Sequence, residues 1–316
     1  MPIQYDTLIE SLRDPAVRDL AWVIGAPNLL DPTHPSYHGR TVDDAWCQAR
    51  LELCAPWLAA LDQQPHNLHQ FIAAQPTRRL GRYFELLLGY FLAHLPDIKI
   101  LASNLQVQDA HRTLGEYDLL FRDRQTGTAH WEAAIKFYLQ LAPIPAQHSF
   151  IGPGGRDRLD LKLQRVFSHQ LLLSDTTAGK LALPAGITLD RAQAYIKGYL
   201  FYSLHEADSR PAPLAIPGVS ATHLRGWWIR HPVAMLPQIF PDSAWAILPR
   251  MRWLAPLLLE ESAKVMSNAE MCRYADRHFD ASSEALLLAE LQPSAGAGWR
   301  EAARGFVVAN SWPQIT

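Results

Sequence analysis

Apolar residues recur at helical spacing through the first quarter of the chain, over residues 6–12, 14–23 and 43–61. These segments predict helices, the third interrupted at Pro56, and a Pro/His/Gly loop over 28–40 separates the second from the third. A stronger helical pattern fills 78–94, bounded by Pro76-Thr77 before it and Pro96 after it. The period then changes. Residues 98–108, 116–122 and 130–141 predict three strands, punctuated by Gly115 and by Thr126-Gly127. The Gly-rich loop Gly152-Pro153-Gly154-Gly155 leads to a helix over 157–173, with Asp157 as its expected N-cap. Residues 192–203, rich in Tyr, Ile and Phe, predict a further strand.

Beyond a Pro-rich loop at 210–218, strands are expected at 225–230, 245–249 and 306–309, and helices at 255–266 and 282–291. The segments divide the chain into an N-terminal helical region (1–75), an α/β core (76–205) and a C-terminal α/β extension (206–316).

Charge interrupts the strand pattern at two places. Side chains alternate between faces along a strand. Tyr117, Leu119 and Phe121 therefore share one face, and Glu116, Asp118, Leu120 and Arg122 the other. On the next strand Trp131, Ala133, Ile135 and Phe137 oppose His130, Glu132, Ala134 and Lys136. A charge inside a strand is costly unless it is paired, hydrated or bound to metal. Two neighbouring strands carrying the same anomaly point to a polar cleft. In the preceding helix, Gly81 and Gly89 flank Glu85 at four-residue spacing, giving a narrow face that aims Glu85 at the sheet, with Arg78 and Arg82 nearby.

The motifs Gly81-Arg82-Tyr83-Phe84-Glu85, Gly115-Glu116-Tyr117-Asp118-Leu119-Leu120 and Trp131-Glu132-Ala133-Ala134-Ile135-Lys136-Phe137, in the order α-β-β-β-α-β, resemble the PD-(D/E)XK nuclease superfamily. The resemblance covers residues 77–203, and the whole chain looks like a bacterial domain-of-unknown-function family grouped there. It implies a restriction-endonuclease-like α/β core, a mixed sheet flanked by helices. It also implies a Mg²⁺- or Mn²⁺-dependent nuclease, a hydrolase of phosphodiester bonds. Asp118 would be the principal metal ligand, Lys136 would position water or stabilise developing charge, and Glu132, Glu85 and Glu116 would be the other candidate acids.

One position departs from the pattern. The acid expected two residues before the lysine is Ala134, and Glu132 stands four residues before it, about 13 Å away along a regular strand. A bulge would shorten that gap. Otherwise Glu85 or Glu116 supplies the carboxylate, or the fold is a decayed nuclease that binds nucleic acid or protein without catalysis.

Composition permits these readings without choosing among them. The formal net charge is −2 over 316 residues, so no strong overall field draws nucleic acid. Residues 76–170 are locally basic, with 12 Lys/Arg against 9 Asp/Glu. Arg158, Lys162, Arg165 and His169 recur at helical spacing and form a candidate phosphate-binding stripe, or simply a solvated face. Three cysteines without a Cys-x-x-Cys pair fit a reducing compartment, and no apolar run approaches the ~20 residues of a membrane span, so a cytoplasmic protein is expected. His66 and His69 read as surface histidines rather than zinc ligands. Trp227, Trp228, Trp245 and Trp253 read as core rather than as base-stacking platforms. Walker and Gly-x-Ser-x-Gly motifs are missing, and no oligomeric state follows from the sequence.

Overall fold

The computed structural model describes residues 5–110, 112–204, 215–294 and 298–313. The helices of the N-terminal region are α1 (Tyr5–Ser11), α2 (Pro15–Gly25), α3 (Asp44–Gln63) and α4 (His66–Ala73), and α5 (Leu80–His94) comes next. Strands β1 (Ile98–Asp109), β2 (Arg112–Asp123), β3 (Gly127–Gln140) and β4 (Phe150–Ile151) follow. Next come α6 (Leu159–Arg165), one π-helical turn over Val166–Gln170, α7 (Thr177–Ala182) and β5 (Arg191–Ser203). The last third holds β6 (Leu224–Arg230), α8 (Leu236–Ile239), β7 (Ala244–Ile247), β8 (Leu258–Leu259), α9 (Asn268–Ala281), β9 (Leu286–Pro293) and β10 (Trp299–Val308). Ten described strands form a mixed sheet, in the order β1-β2-β3-β5-β6-β10-β9-β7, with β4 on β3 and β8 on β10.

The chain forms two compact units. The first comprises Met1–Lys136, Asp160–Gly198 and Pro217–His223. Its strands β1, β2 and β3 are an antiparallel meander. Helix α2 is held at its start by Asp14, whose carboxylate accepts from the N–H groups of Ala16 and Val17. Eight consecutive residues of α2, Val17 to Ile24, are buried, so it serves as a core helix rather than an amphipathic one. One sheet face meets α5: Leu119 approaches Gly89, and Phe84 stacks on Tyr195 with ring centroids 6.1 Å apart. Val107, Tyr117, Leu120 and Leu173 form a separate cluster.

The second unit comprises Phe137–Leu159, Tyr199–Ile216 and Leu224–Thr316. Here β6 runs parallel to β5 and β10, whereas β9 is antiparallel to both β10 and β7. Trp227, Trp228, Trp245 and Trp253 are all buried, as core residues. Trp227 and Trp245 pack with Met271 and Ala275 of α9, and the Trp245 ring N–H donates to Asn268 at 2.8 Å.

Several elements differ from expectation. Helix α3 continues through Pro56, which removes one N–H but does not end the helix. Helix α4 carries His66 and His69, and the His69 ring lies 2.9 Å from the Asp14 carboxylate. The helix expected at 282–291 is strand β9. Its run Leu286-Leu287-Leu288-Ala289 is buried between β10 and β7, and a continuous apolar run has no period to separate strand from helix. The helix expected at 255–266 is loop plus the short β8, paired to β10. The helix of this region is α9, whose start is set by a reciprocal capping box between Ser267 and Glu270. The Pro-rich loop expected at 210–218 lies partly outside the described residues.

Candidate active site

The candidate residues collect in the first unit where β2 and β3 stop pairing. Their paired register covers Asp123↔Gly127 to Leu119↔Trp131. Beyond it, the N–H of Ala133 donates to Asp118 Oδ2 at 2.8 Å, so a carboxylate takes the place of a ladder carbonyl. On the other side of β2, Asn104 of β1 faces Asp118, between the pairs Ser103↔Leu119 and Leu105↔Tyr117. Asn104 has φ +53°, a left-handed conformation that few residues other than Gly and Asn adopt. The strand alternation breaks there. Tyr117 shares a cluster with Leu120, three positions away, and not the face of Leu119 and Phe121 on which simple alternation placed it.

Asp118 is 5% exposed and Glu132 2% exposed. Burial, then the charge of Glu85, pushes the Asp118 carboxyl up to about 7, against the opposing hydrogen bond from Ala133. Burial, then the charge of Asp118, pushes Glu132 up to about 9. The two acids therefore feel each other directly, as do two carboxyl groups sharing one site. Glu85 on α5 is also raised by burial, although Arg82 pairs with it at 3.0 Å. Glu116 adds charge to the same region from an exposed position on β2.

Lys162 of α6 reaches into this cluster. Burial, then the neighbouring Lys136, lowers its pKa, while Glu132 and Asp118 oppose that shift. Lys136 is thus a neighbour of Lys162, and Lys162 of both acids. Lys162 Nζ donates to Gln170 Oε1 at 3.2 Å, and Gln170 Nε2 donates to Glu132 Oε1. Glu132 Oε2 is buried without a hydrogen-bond partner among the described residues.

Gln170 is the residue that sequence reasoning missed. Eight positions apart on a regular α-helix, Lys162 and Gln170 would point about 80° apart. The π turn over Val166–Gln170 inserts one residue and brings them onto one face. No sequence signal marks such a turn. His130 was grouped with the polar face, yet it is fully buried against Tyr117, and burial pushes its pKa down to about 4.

The basic stripe is divided. Lys162 turns to the acids, whereas Arg165 and His169 are exposed. Arg158 is exposed too, precedes α6, and bridges to Ile151 in the second unit. The Asp157 carboxylate accepts from the Tyr138 hydroxyl at 2.8 Å. Among the described residues, no three His, Cys, Asp or Glu side chains stand close enough to hold a metal ion. Asp118 and Glu132 are the two buried acids of the cluster.

Fold and site define a mixed α/β protein with a buried acid–lysine cluster at a parting of strands. The chain belongs to the family described as domain of unknown function (DUF1853), whose model matches residues 18–308. No curated protein and no solved structure matches the chain. Among the described residues, no helix is long and apolar enough to cross a membrane.

Proposed function

We propose that the protein is a metal-dependent nuclease that hydrolyses phosphodiester bonds at Asp118 and Glu132 on a restriction-endonuclease-like core. The observation that carries this reading is the convergence of two buried carboxyls and Lys162 where β2 and β3 part, with Lys136 beside Lys162. The order α5-β1-β2-β3-β4-α6-α7-β5, which contains α-β-β-β-α-β with β4 and α7 inserted, and the neighbouring of β1, β2, β3 and β5 in the sheet support it.

The donor chemistry suits Mg²⁺ or Mn²⁺. Magnesium is commonly held by one or two carboxylates, with waters and substrate phosphate completing the shell. The unpartnered Oε2 of Glu132 is an acceptor of that kind. A bound ion would neutralise phosphate charge and acidify a water.

The chain's own residues do the rest. Ala133 fixes the orientation of the Asp118 carboxylate. Gln170 holds Glu132 while leaving its second oxygen free to take a ligand. Lys136 and Lys162 bring positive charge to the phosphate as negative charge develops on its oxygens. Glu85 is tied to Arg82 and tunes the site through its charge.

The test is a panel of single- and double-stranded DNA and RNA with several divalent metals. Cleavage in Mg²⁺ or Mn²⁺ that falls at least about 100-fold in Asp118→Ala is the expected result. No cleavage above the Asp118→Ala protein sinks the proposal.

A second reading, a nuclease fold retained as a nucleic-acid or protein binding module, is favoured by Ala134 at the usual acid position and by the net charge of −2. Calorimetric titration with Mn²⁺ separates the two. Binding that disappears in Asp118→Ala supports the nuclease, and no binding to the native chain supports the module.

A further inference from the structure

A second group of reactive side chains lies in the first unit, on α3, β5 and the segment after α2. Lys197 is completely buried. Its Nζ donates to the carbonyls of Ala26 and, at 3.4 Å, of Ile24. The Cys47 thiol lies beside it, with Nζ and Sγ 3.7 Å apart, and Nζ also stands over the Tyr195 ring, 4.8 Å from its centroid, and feels the Asp44 carboxylate. Cys47 is 1% exposed and is also 3.8 Å from the Tyr195 hydroxyl. Asn28 completes the pocket: its Nδ2 lies 3.6 Å from Sγ and its Oδ1 is buried without a hydrogen-bond partner among the described residues.

Part of this arrangement has a structural reason. The last carbonyls of α2 need donors, and an amine supplies them. That accounts for Lys197 but not for the thiol beside it, nor for an amide oxygen left without a donor. An orphaned buried acceptor is costly, so its retention beside a thiol asks for an explanation.

We propose that Cys47 and Lys197 form a modification site at which hydrogen peroxide converts thiol and amine into a sulfenamide. Peroxide first oxidises the Cys47 thiol to a sulfenic acid, releasing one water. The new S–O–H adds a donor to a pocket that holds the unpartnered Asn28 Oδ1. The Lys197 amine then attacks sulfur: an S–N bond forms, the S–O bond breaks, and hydroxide leaves with the proton from nitrogen as a second water. Thiol, amine and one peroxide thus give one sulfenamide and two waters. A reacting pair usually stands at about 3–3.5 Å, within a few tenths of an ångström of the observed separation.

Burial lowers the Lys197 pKa, which favours the neutral amine that the attack requires. The link would tie α3 to β5 across 150 residues of chain.

The full-length protein is treated with hydrogen peroxide, unfolded with free thiols blocked, digested and mapped by mass spectrometry. The expected product joins the Cys47 and Lys197 peptides, is lighter than their sum by two hydrogens, and reverts with dithiothreitol. It is absent from Cys47→Ala treated in parallel. Cys47 recovered as a thiol, or oxidised with Lys197 unattached, overturns the proposal. That readout comes from the native chain and holds whether or not the variant folds.

Discussion

At the scale of single residues, the cluster stores protons. Glu132 has its folded pKa raised to about 9 by burial and by Asp118. The folded protein therefore keeps a proton that the unfolded chain has released, and this group's contribution to stability falls as pH rises from about 4.5 to about 9. Glu132→Gln removes the penalty while its carbonyl still accepts from Gln170. The variant should be more stable than the native chain at pH 8 by roughly 1–3 kcal/mol, and the two should converge near pH 4. Urea melts across that range read the difference, and parallel pH profiles would contradict it. Cation binding requires the same protons to leave, so Mn²⁺ affinity should rise with pH. Much of this site was legible in the sequence, because Asp118, Glu132 and Lys136 interrupt strands that are otherwise apolar. The direction of Asp118 was not, since the alternation of β2 is displaced at Tyr117 and the carboxylate takes up the N–H of Ala133.

At the scale of elements, close backbone approach fixes where Lys136 stands. Gly198 of β5 has φ +143°, and a β-carbon there would lie 1.7 Å from the Lys136 carbonyl oxygen. Gly198→Ala should destabilise the chain by roughly 2–4 kcal/mol, read as a lowered denaturant midpoint, and an unchanged midpoint would show that the strands can part freely. The meander β1-β2-β3 and strands β5 and β6 follow their sequence pattern closely, because period and punctuation agree. Strand β9 did not follow its reading, because burial on both faces erases the period. Helix α9 was missed for the opposite reason: its buried residues are only Met271 and Ala275, and its start depends on the capping box rather than on apolar density. The π turn is invisible in the same way, being a change of winding rather than of composition.

At the scale of the molecule, a net charge of −2 leaves nucleic-acid affinity to local cations. On the proposed function the first unit's Lys136, Lys162 and Arg165 would neutralise at most three phosphates between them, Arg158 belonging to the second unit. Binding of duplex DNA without divalent metal should therefore be weak, with log K falling against log salt at a slope no steeper than about −3. A much steeper slope, measured by anisotropy, would point to a larger basic surface elsewhere.

Connectivity sets a further limit. Both β3 and β5 begin in the first unit and end in the second, so each unit is assembled from three separate stretches of chain. In the second unit Phe137 meets Trp253 and Phe201 meets Phe306, with centroids 5.2 and 4.7 Å apart. A fragment ending at residue 205 would carry every acid and lysine of the proposed site, yet leave those rings bare. It should express as an aggregating chain without a cooperative melt. Because the stretches of the two units alternate along the chain, no single cut separates one unit whole from the other.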